Sequence, residues 1–151
     1  DWSFTKSTKN VKGLRLSTIE QRVEEIKEDL DFFEDELQKY EYIIDLGKKL
    51  EEFDEKNKIP ENIVHGCTSQ VWLTHKQKDG KLYFYGTSDA IIVKGLVYMI
   101  LKIFSDSTIQ ELKDIDMDIV HELKLSEVIT PNRQSGVIGM MKKIKEYALK
   151  A

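Results

Sequence analysis

The 151-residue sequence predicts an α+β domain, with helices at both ends of the chain and one small antiparallel sheet between them. Three observations carry this reading. Apolar residues recur at helical spacing from Ile19 to Leu50 and again from Val137 to Ala148. Apolar and polar residues alternate over residues 71–76, with Val71 and Leu73 on one face and Trp72 and Thr74 on the other. Asp79-Gly80, a pair suited to a tight turn in which both positions have positive φ, then joins that strand to Leu82-Tyr83-Phe84-Tyr85. The length fits a single domain that buries its own core without a disulfide or metal staple.

The elements follow in order. Residues 1–16 carry Ser, Thr, Lys and Asn without periodicity and read as a loose N-terminal arm, with Trp2 and Phe4 as its docking side chains if it docks. The domain proper spans 17–151. Ser17 with Glu20 is a capping box, and Ile19, Val23, Ile26, Leu30, Phe33 and Leu37 follow at spacings of four and three. The pattern slips over 31–35, which predicts a second helix through Tyr40, Ile43, Ile44, Leu46 and Leu50. Residues 57–62, with Pro60, form a linker, and Ile63-Val64-His65 is a short strand candidate. Gly86-Thr87-Ser88-Asp89 closes the hairpin and offers Ser88 or Asp89 as cap to a buried helix through Phe104. Gly95 inside that helix lowers its propensity by about 1 kcal/mol relative to alanine, which points to a second backbone passing close by. Ser107 with Gln110 reads as a further capping box for a short helix through Leu112, and another helix is expected over 117–125. Thr130-Pro131 opens the terminal helix, whose inward residues are Val137, Met140, Met141, Ile144, Tyr147 and Ala148.

Composition excludes several functions. Charged residues make up 33% of the chain at a net charge of −4, with both signs interspersed, unlike a nucleic-acid groove or a surface for anionic membranes. No apolar run reaches the roughly 18 residues of a membrane span; the nearest, 90–104, is interrupted by Lys94 and Lys102. The first residue is Asp1 and not Met, as in a trimmed or processed chain, so any upstream targeting segment is not on view.

Cys67 is the only cysteine. It can make neither an intrachain disulfide nor a four-sulfur metal site, which leaves thiol chemistry in a reducing compartment. A lone cysteine is often a core residue, but Gly66, Thr68, Ser69 and Gln70 beside it make this thiol look presented rather than packed. His65 points to the opposite face of an extended segment and reads as a bystander, and His75 and His121 match no metal spacing. Arg133 lies in the first turn of the terminal helix, where a cation opposes the helix dipole. Either it is simply solvated there, or it serves something other than the helix. Asp89 has two available roles, cap of the following helix, which is the one favoured, or anchor of the cysteine loop.

The run Gly66-Cys67-Thr68-Ser69-Gln70-Val71-Trp72-Leu73, followed by Gly86-Thr87-Ser88-Asp89-Ala90-Ile91-Ile92-Val93-Lys94-Gly95-Leu96, resembles the SufE family of sulfur-acceptor proteins. Tyr42-Ile43-Ile44-Asp45-Leu46-Gly47 upstream and Thr130-Pro131-Asn132-Arg133 with Gly136 downstream agree in order and spacing. The resemblance implies helices around a small antiparallel sheet of about three strands, similar to the U-type iron–sulfur scaffold fold. It also implies that the chain accepts sulfane sulfur from a PLP-dependent, SufS-like cysteine desulfurase, stimulates that enzyme, and delivers the sulfur to a SufB-like iron–sulfur assembly scaffold. By position Cys67 is the persulfide-forming residue, Arg133 falls on the family's arginine and is the candidate for stabilising the anion, and Gly66 and Gln70 shape the loop. No cofactor is implied beyond the covalent persulfide, since PLP belongs to the desulfurase. The U-type scaffolds use three cysteines, so cluster building does not fit a chain with one. The expected protein is a monomer or weak homodimer, cytoplasmic if bacterial and in the plastid stroma or a related plastid if eukaryotic. Two other classes stay open on the residues alone: a hydrolase or transferase using Cys67 with His65 or His121 as base, and a binding module whose cysteine is incidental.

Overall fold

The structure, a computed structural model, describes residues 17–151 and, as backbone only, strands β1 (Asn10–Val11) and β2 (Leu14–Arg15). These two pair antiparallel, Val11 opposite Leu14, inside the stretch expected as a loose arm. The rest of that arm, with Trp2 and Phe4, lies outside the described residues.

Helix α1 (Thr18–Phe32) begins at the predicted box: Glu20 N–H donates to Ser17 Oγ at 3.1 Å and Ser17 N–H to Glu20 Oε1 at 2.9 Å. Ile19, Val23, Ile26 and Leu30 form its buried stripe. The stripe does not run on to Leu37 as expected. Phe33 is extended, Asp35 Oδ1 accepts from Leu37 N–H at 2.7 Å, and a new helix, α2 (Glu36–Gly47), starts in a different phase that leaves Leu37 62% exposed. Leu50 falls beyond the end of α2, where the helix stops at Gly47.

The sheet is β3 (Val71–Lys78), β4 (Lys81–Ser88) and β5 (Ser107–Thr108), in that order and antiparallel. Asp79 (φ 53°) and Gly80 (φ 78°) make the predicted turn. Val71, Leu73, Leu82 and Phe84 face the core, where the next helix, α3 (Ile91–Phe104), packs against them. The third strand is not the one expected at Ile63-Val64-His65. That segment keeps only a bridge from Ile63 to Trp72 and a 2.9 Å bond from Val64 N–H to Val71 O, because the chain turns away to lie on the terminal helix.

Two contacts fix α3. At its start it crosses α2 with no room for side chains: a Cβ on Gly95 would fall 1.9 Å from Ile43 O, and one on Gly47 2.8 Å from Gly95 N. At its end Arg22 of α1 donates to Ile103 O at 3.0 Å, a carbonyl that the helix leaves open, and to Ser105 O at 2.8 Å and Asp106 O at 3.0 Å in the segment that follows it. The same guanidinium bonds Ser107 Oγ at 2.9 Å. Ser107 is therefore occupied in β5, and the capping box falls one residue later than expected, at Thr108 and Glu111 of α4 (Ile109–Lys113). The helix expected over 117–125 is two 3-10 turns, Ile119–Leu123 and Leu125–Glu127, separated by Lys124 at φ 53°.

The terminal helix α5 (Pro131–Lys150) has Thr130 as N-cap and Pro131 at its first position, as predicted. Val137, Met140, Met141, Ile144 and Ala148 are buried; Tyr147 is half-buried, its hydroxyl donating to Leu73 O at 2.9 Å. No helix among the described residues is long and apolar enough to cross a membrane.

Gly95→Ala is expected to destabilise the protein by about 1–3 kcal/mol, because the obstacle is a carbonyl oxygen of α2 that no rotamer change removes. Urea denaturation measures this. Helix propensity alone favours alanine, so an unchanged or raised midpoint would contradict the backbone contact.

Candidate functional site: a thiol seated on the terminal helix

Residues 65–70 link the Ile63 bridge to β3 and carry Cys67. Gly66 adopts φ +94°, a region unfavourable to other residues, and makes the turn that sends Cys67 onto α5. The far end of the loop is tied down at Gln70. Its N–H donates to Asp89 Oδ1 at 3.1 Å, and its carbonyl accepts from the Ser88 hydroxyl at 2.7 Å and from Asp89 N–H at 3.3 Å. The cap favoured for Asp89 does not form, and its carboxylate instead holds the loop at Gln70. The N-cap of α3 is Ala90, with no side-chain cap bond, because β4 continues through Ser88 and the helix begins later than the expected cap.

Two glycines of α5 receive the loop. A Cβ on Gly136 would lie 2.8 Å from Cys67 Sγ, and one on Gly139 would lie 2.5 Å from His65 O and 3.2 Å from Val64 Cγ1. The half-buried thiol opens on a cavity of about 260 Å³. Thr68 and Ser69 line its loop side, Thr130, Asn132 and Arg133 the first turn of α5, and Val93, Leu96 and Met140 its apolar wall.

Arg133 and Cys67 thus share one cavity, 66 residues apart in sequence. The guanidinium donates to Tyr40 Oη of α2 at a long 3.5 Å, and no carboxylate pairs with it among the described residues. A cation and the N-terminus of a 20-residue helix both favour an anion at this end. Against that, burial pushes the Cys67 thiol up from its ordinary value, so the resting group is a protonated thiol at neutral pH. Burial therefore favours the neutral thiol where the structure places it, while the cation and the helix N-terminus favour an anion in the same cavity.

The histidines stand elsewhere. His65 is exposed, and His121 is exposed with its ring 3.9 Å from Asp118. His75 stacks on Tyr147 at 4.0 Å between ring centres, with Nδ1 buried and unpartnered and burial lowering its pKa. None of the three lines the Cys67 cavity, and no hydrogen bond joins any of them to the thiol among the described residues. Tyr40 and Gly139 are the site residues that the sequence reading missed. Nothing in sequence ties Tyr40 to Arg133, whereas Gly136 and Gly139, three apart inside a helix, carried the same signal as Gly95.

Fold and site together define a small α+β protein that keeps one sheltered thiol at the start of a long helix. The SufE family, described as an Fe–S metabolism associated domain, matches residues 24–148, and the chain belongs to it. A SufE-like protein of Rhizobium meliloti is 40% identical over 131 residues, covering 83% of this chain and 94% of its own. One of Rhizobium etli is 39% identical over 142 residues, covering 91% and 95%. The solution structure of a hypothetical protein from Thermus thermophilus superposes with a TM-score of 0.71 at 16% identity, over 86% of this chain and 95% of that one, a likeness of fold.

Because burial raises the thiol's pKa, Cys67 in the folded protein is expected to alkylate with a pH midpoint above the ordinary cysteine value of about 8.5, and at that value in urea. The linkage has a definite sign. A raised folded pKa contributes stability below the unfolded pKa, and that contribution is lost as pH rises through the folded one. The unfolding midpoint should therefore fall above about pH 8.5, and fall less in Cys67→Ser. A folded-state midpoint at or below the ordinary value would contradict the burial.

Proposed function

We propose that the chain is a sulfur acceptor and carrier for iron–sulfur cluster assembly. A cysteine desulfurase presents sulfane sulfur as a persulfide on its own cysteine. The Cys67 thiolate attacks the outer sulfur, a new S–S bond forms at Cys67, the old one breaks, and the desulfurase thiolate leaves with the electron pair. The Cys67 proton passes to solvent or to that leaving thiolate, so the exchange needs no oxidant or reductant. A second exchange of the same kind delivers the sulfur to an assembly scaffold. By clearing the desulfurase persulfide, the carrier speeds that enzyme's turnover.

The observation that carries this reading is the meeting of Cys67 with Arg133 and the N-terminus of α5 around one open cavity. A persulfide is more acidic than its thiol and is anionic near neutrality. A guanidinium with no carboxylate partner among the described residues, and a helix N-terminus, suit it better than they suit a neutral side chain. Membership of the SufE family, with its Fe–S metabolism description, agrees with the carrier role. The hydrolase alternative has no histidine lining the cavity on which the thiol opens.

Turnover of a cognate desulfurase on free cysteine, followed with and without the chain, tests the proposal. Cys67→Ser should abolish the stimulation while the thermal melt stays intact; undiminished stimulation would sink the carrier reading. Arg133→Ala should slow sulfur acceptance roughly ten- to hundredfold, the loss of one charge-assisted hydrogen bond of about 1.5–3 kcal/mol. Arg133→Lys should recover part of it, a point charge replacing a planar fork. Normal acceptance by Arg133→Ala would remove the arginine from the site.

A further inference from the structure

Gly136 sits inside α5 for no reason internal to the helix. It is not one of the glycines with positive φ, which among the described residues are Gly66 and Gly80, and the interior of a 20-residue helix favours alanine. The space its missing side chain leaves is small and has one occupant. Within 4 Å of a Cβ built there, the two atoms met are Cys67 Sγ at 2.8 Å and Cys67 Cβ at 3.7 Å. The neighbouring Gly139 meets different atoms, the backbone oxygen of His65 and a methyl of Val64, so it seats the chain while Gly136 seats the sulfur. Gly66, at the hinge of the loop, has only Ser135 O nearby, 3.9 Å from its own built Cβ, so the turn itself is not wedged in place.

From this we infer that Gly136 is the positioning residue of the resting thiol: its absent side chain is the seat that holds Cys67 Sγ against α5, and filling the seat releases the sulfur to solvent without a partner. The inference rests on the reading of Cys67 as the sulfur-accepting residue, and adds how that residue is kept idle. Sγ ends a single rotatable bond, so when a methyl group is added at 136 the thiol gives way and the helix does not. A seated sulfur is shielded on the helix side and meets reagents slowly. A displaced one loses that shield and moves further into the cavity it shares with Arg133, toward water.

Alkylation of Cys67 by iodoacetamide across pH, in the parent and in Gly136→Ala, reads this directly. The variant should react roughly tenfold faster at pH 7 for each unit by which its midpoint falls toward the ordinary cysteine value. A role in helix packing alone would not move the pH profile. The same rate and midpoint in a folded Gly136→Ala protein would overturn the inference. If Gly136→Ala does not fold, the pair Cys67→Ala and Cys67→Ala with Gly136→Ala decides. Cys67→Ala removes Sγ and keeps Cβ at an ordinary contact distance, so adding Gly136→Ala to it should leave the thermal midpoint unchanged or higher. A collapse in that background too would show that the glycine serves something other than the sulfur. Neither measurement involves a desulfurase. Faster alkylation with no sulfur acceptance would defeat the carrier reading and keep the seat; the reverse would do the opposite.

Discussion

The close approach of the Val64–Cys67 segment to α5 is the contact on which the rest of the site depends. With Gly136 and Gly139 in the helix, the segment lies against its backbone, which brings the thiol to the helix turn that carries Arg133. Any larger residue at 139 would meet His65 O, a backbone atom with nowhere to go. The loop's other end is fixed independently, by Ser88 and Asp89 on Gln70. One end therefore sits on α5 and the other on the β4–α3 junction, and Cys67 spans the space between.

That space exists because α3 is held firmly. Its first half crosses α2 at Gly95 and Gly47, and its last turn is closed by Arg22. Val93 and Leu96, the apolar wall of the thiol's cavity, belong to the same helix, and Tyr40, the partner of Arg133, belongs to the helix it crosses. Packing and chemistry are thus linked through glycines: one pair lets two helices touch, the other lets a loop touch a helix. Burial in this frame favours a neutral thiol, while the cation and helix terminus favour an anion. The proposed carrier role would use both, the thiol neutral before loading and the persulfide favoured after it.

Much of the fold was legible because it rests on local chemistry. Capping at Ser17 and Thr130, the Asp79-Gly80 turn and the apolar stripes of α1 and α5 need only neighbours in sequence to be read. Two of the expectations that failed were decided at long range. Ser107 entered the sheet because Arg22, 85 positions away, takes its hydroxyl, and the cap moved one residue on. Ile63-Val64-His65 left the sheet because α5 offers it a glycine groove. At the site, Cys67, Arg133, Asp89, Gly66 and Gln70 were all named from sequence, and the structure places Cys67 and Arg133 on one cavity with Asp89 bonded to Gln70. Tyr40 carried no signal, being an ordinary aromatic on a helix 93 residues from its partner.

The central claim is that Cys67 becomes a persulfide. Mass spectrometry of the chain after incubation with a cysteine desulfurase and free cysteine tests it most directly. The account predicts a peptide containing Cys67 heavier by one sulfur atom, returned to its original mass by a thiol reductant. An unmodified Cys67 in a reaction where the desulfurase has itself formed its persulfide would contradict it.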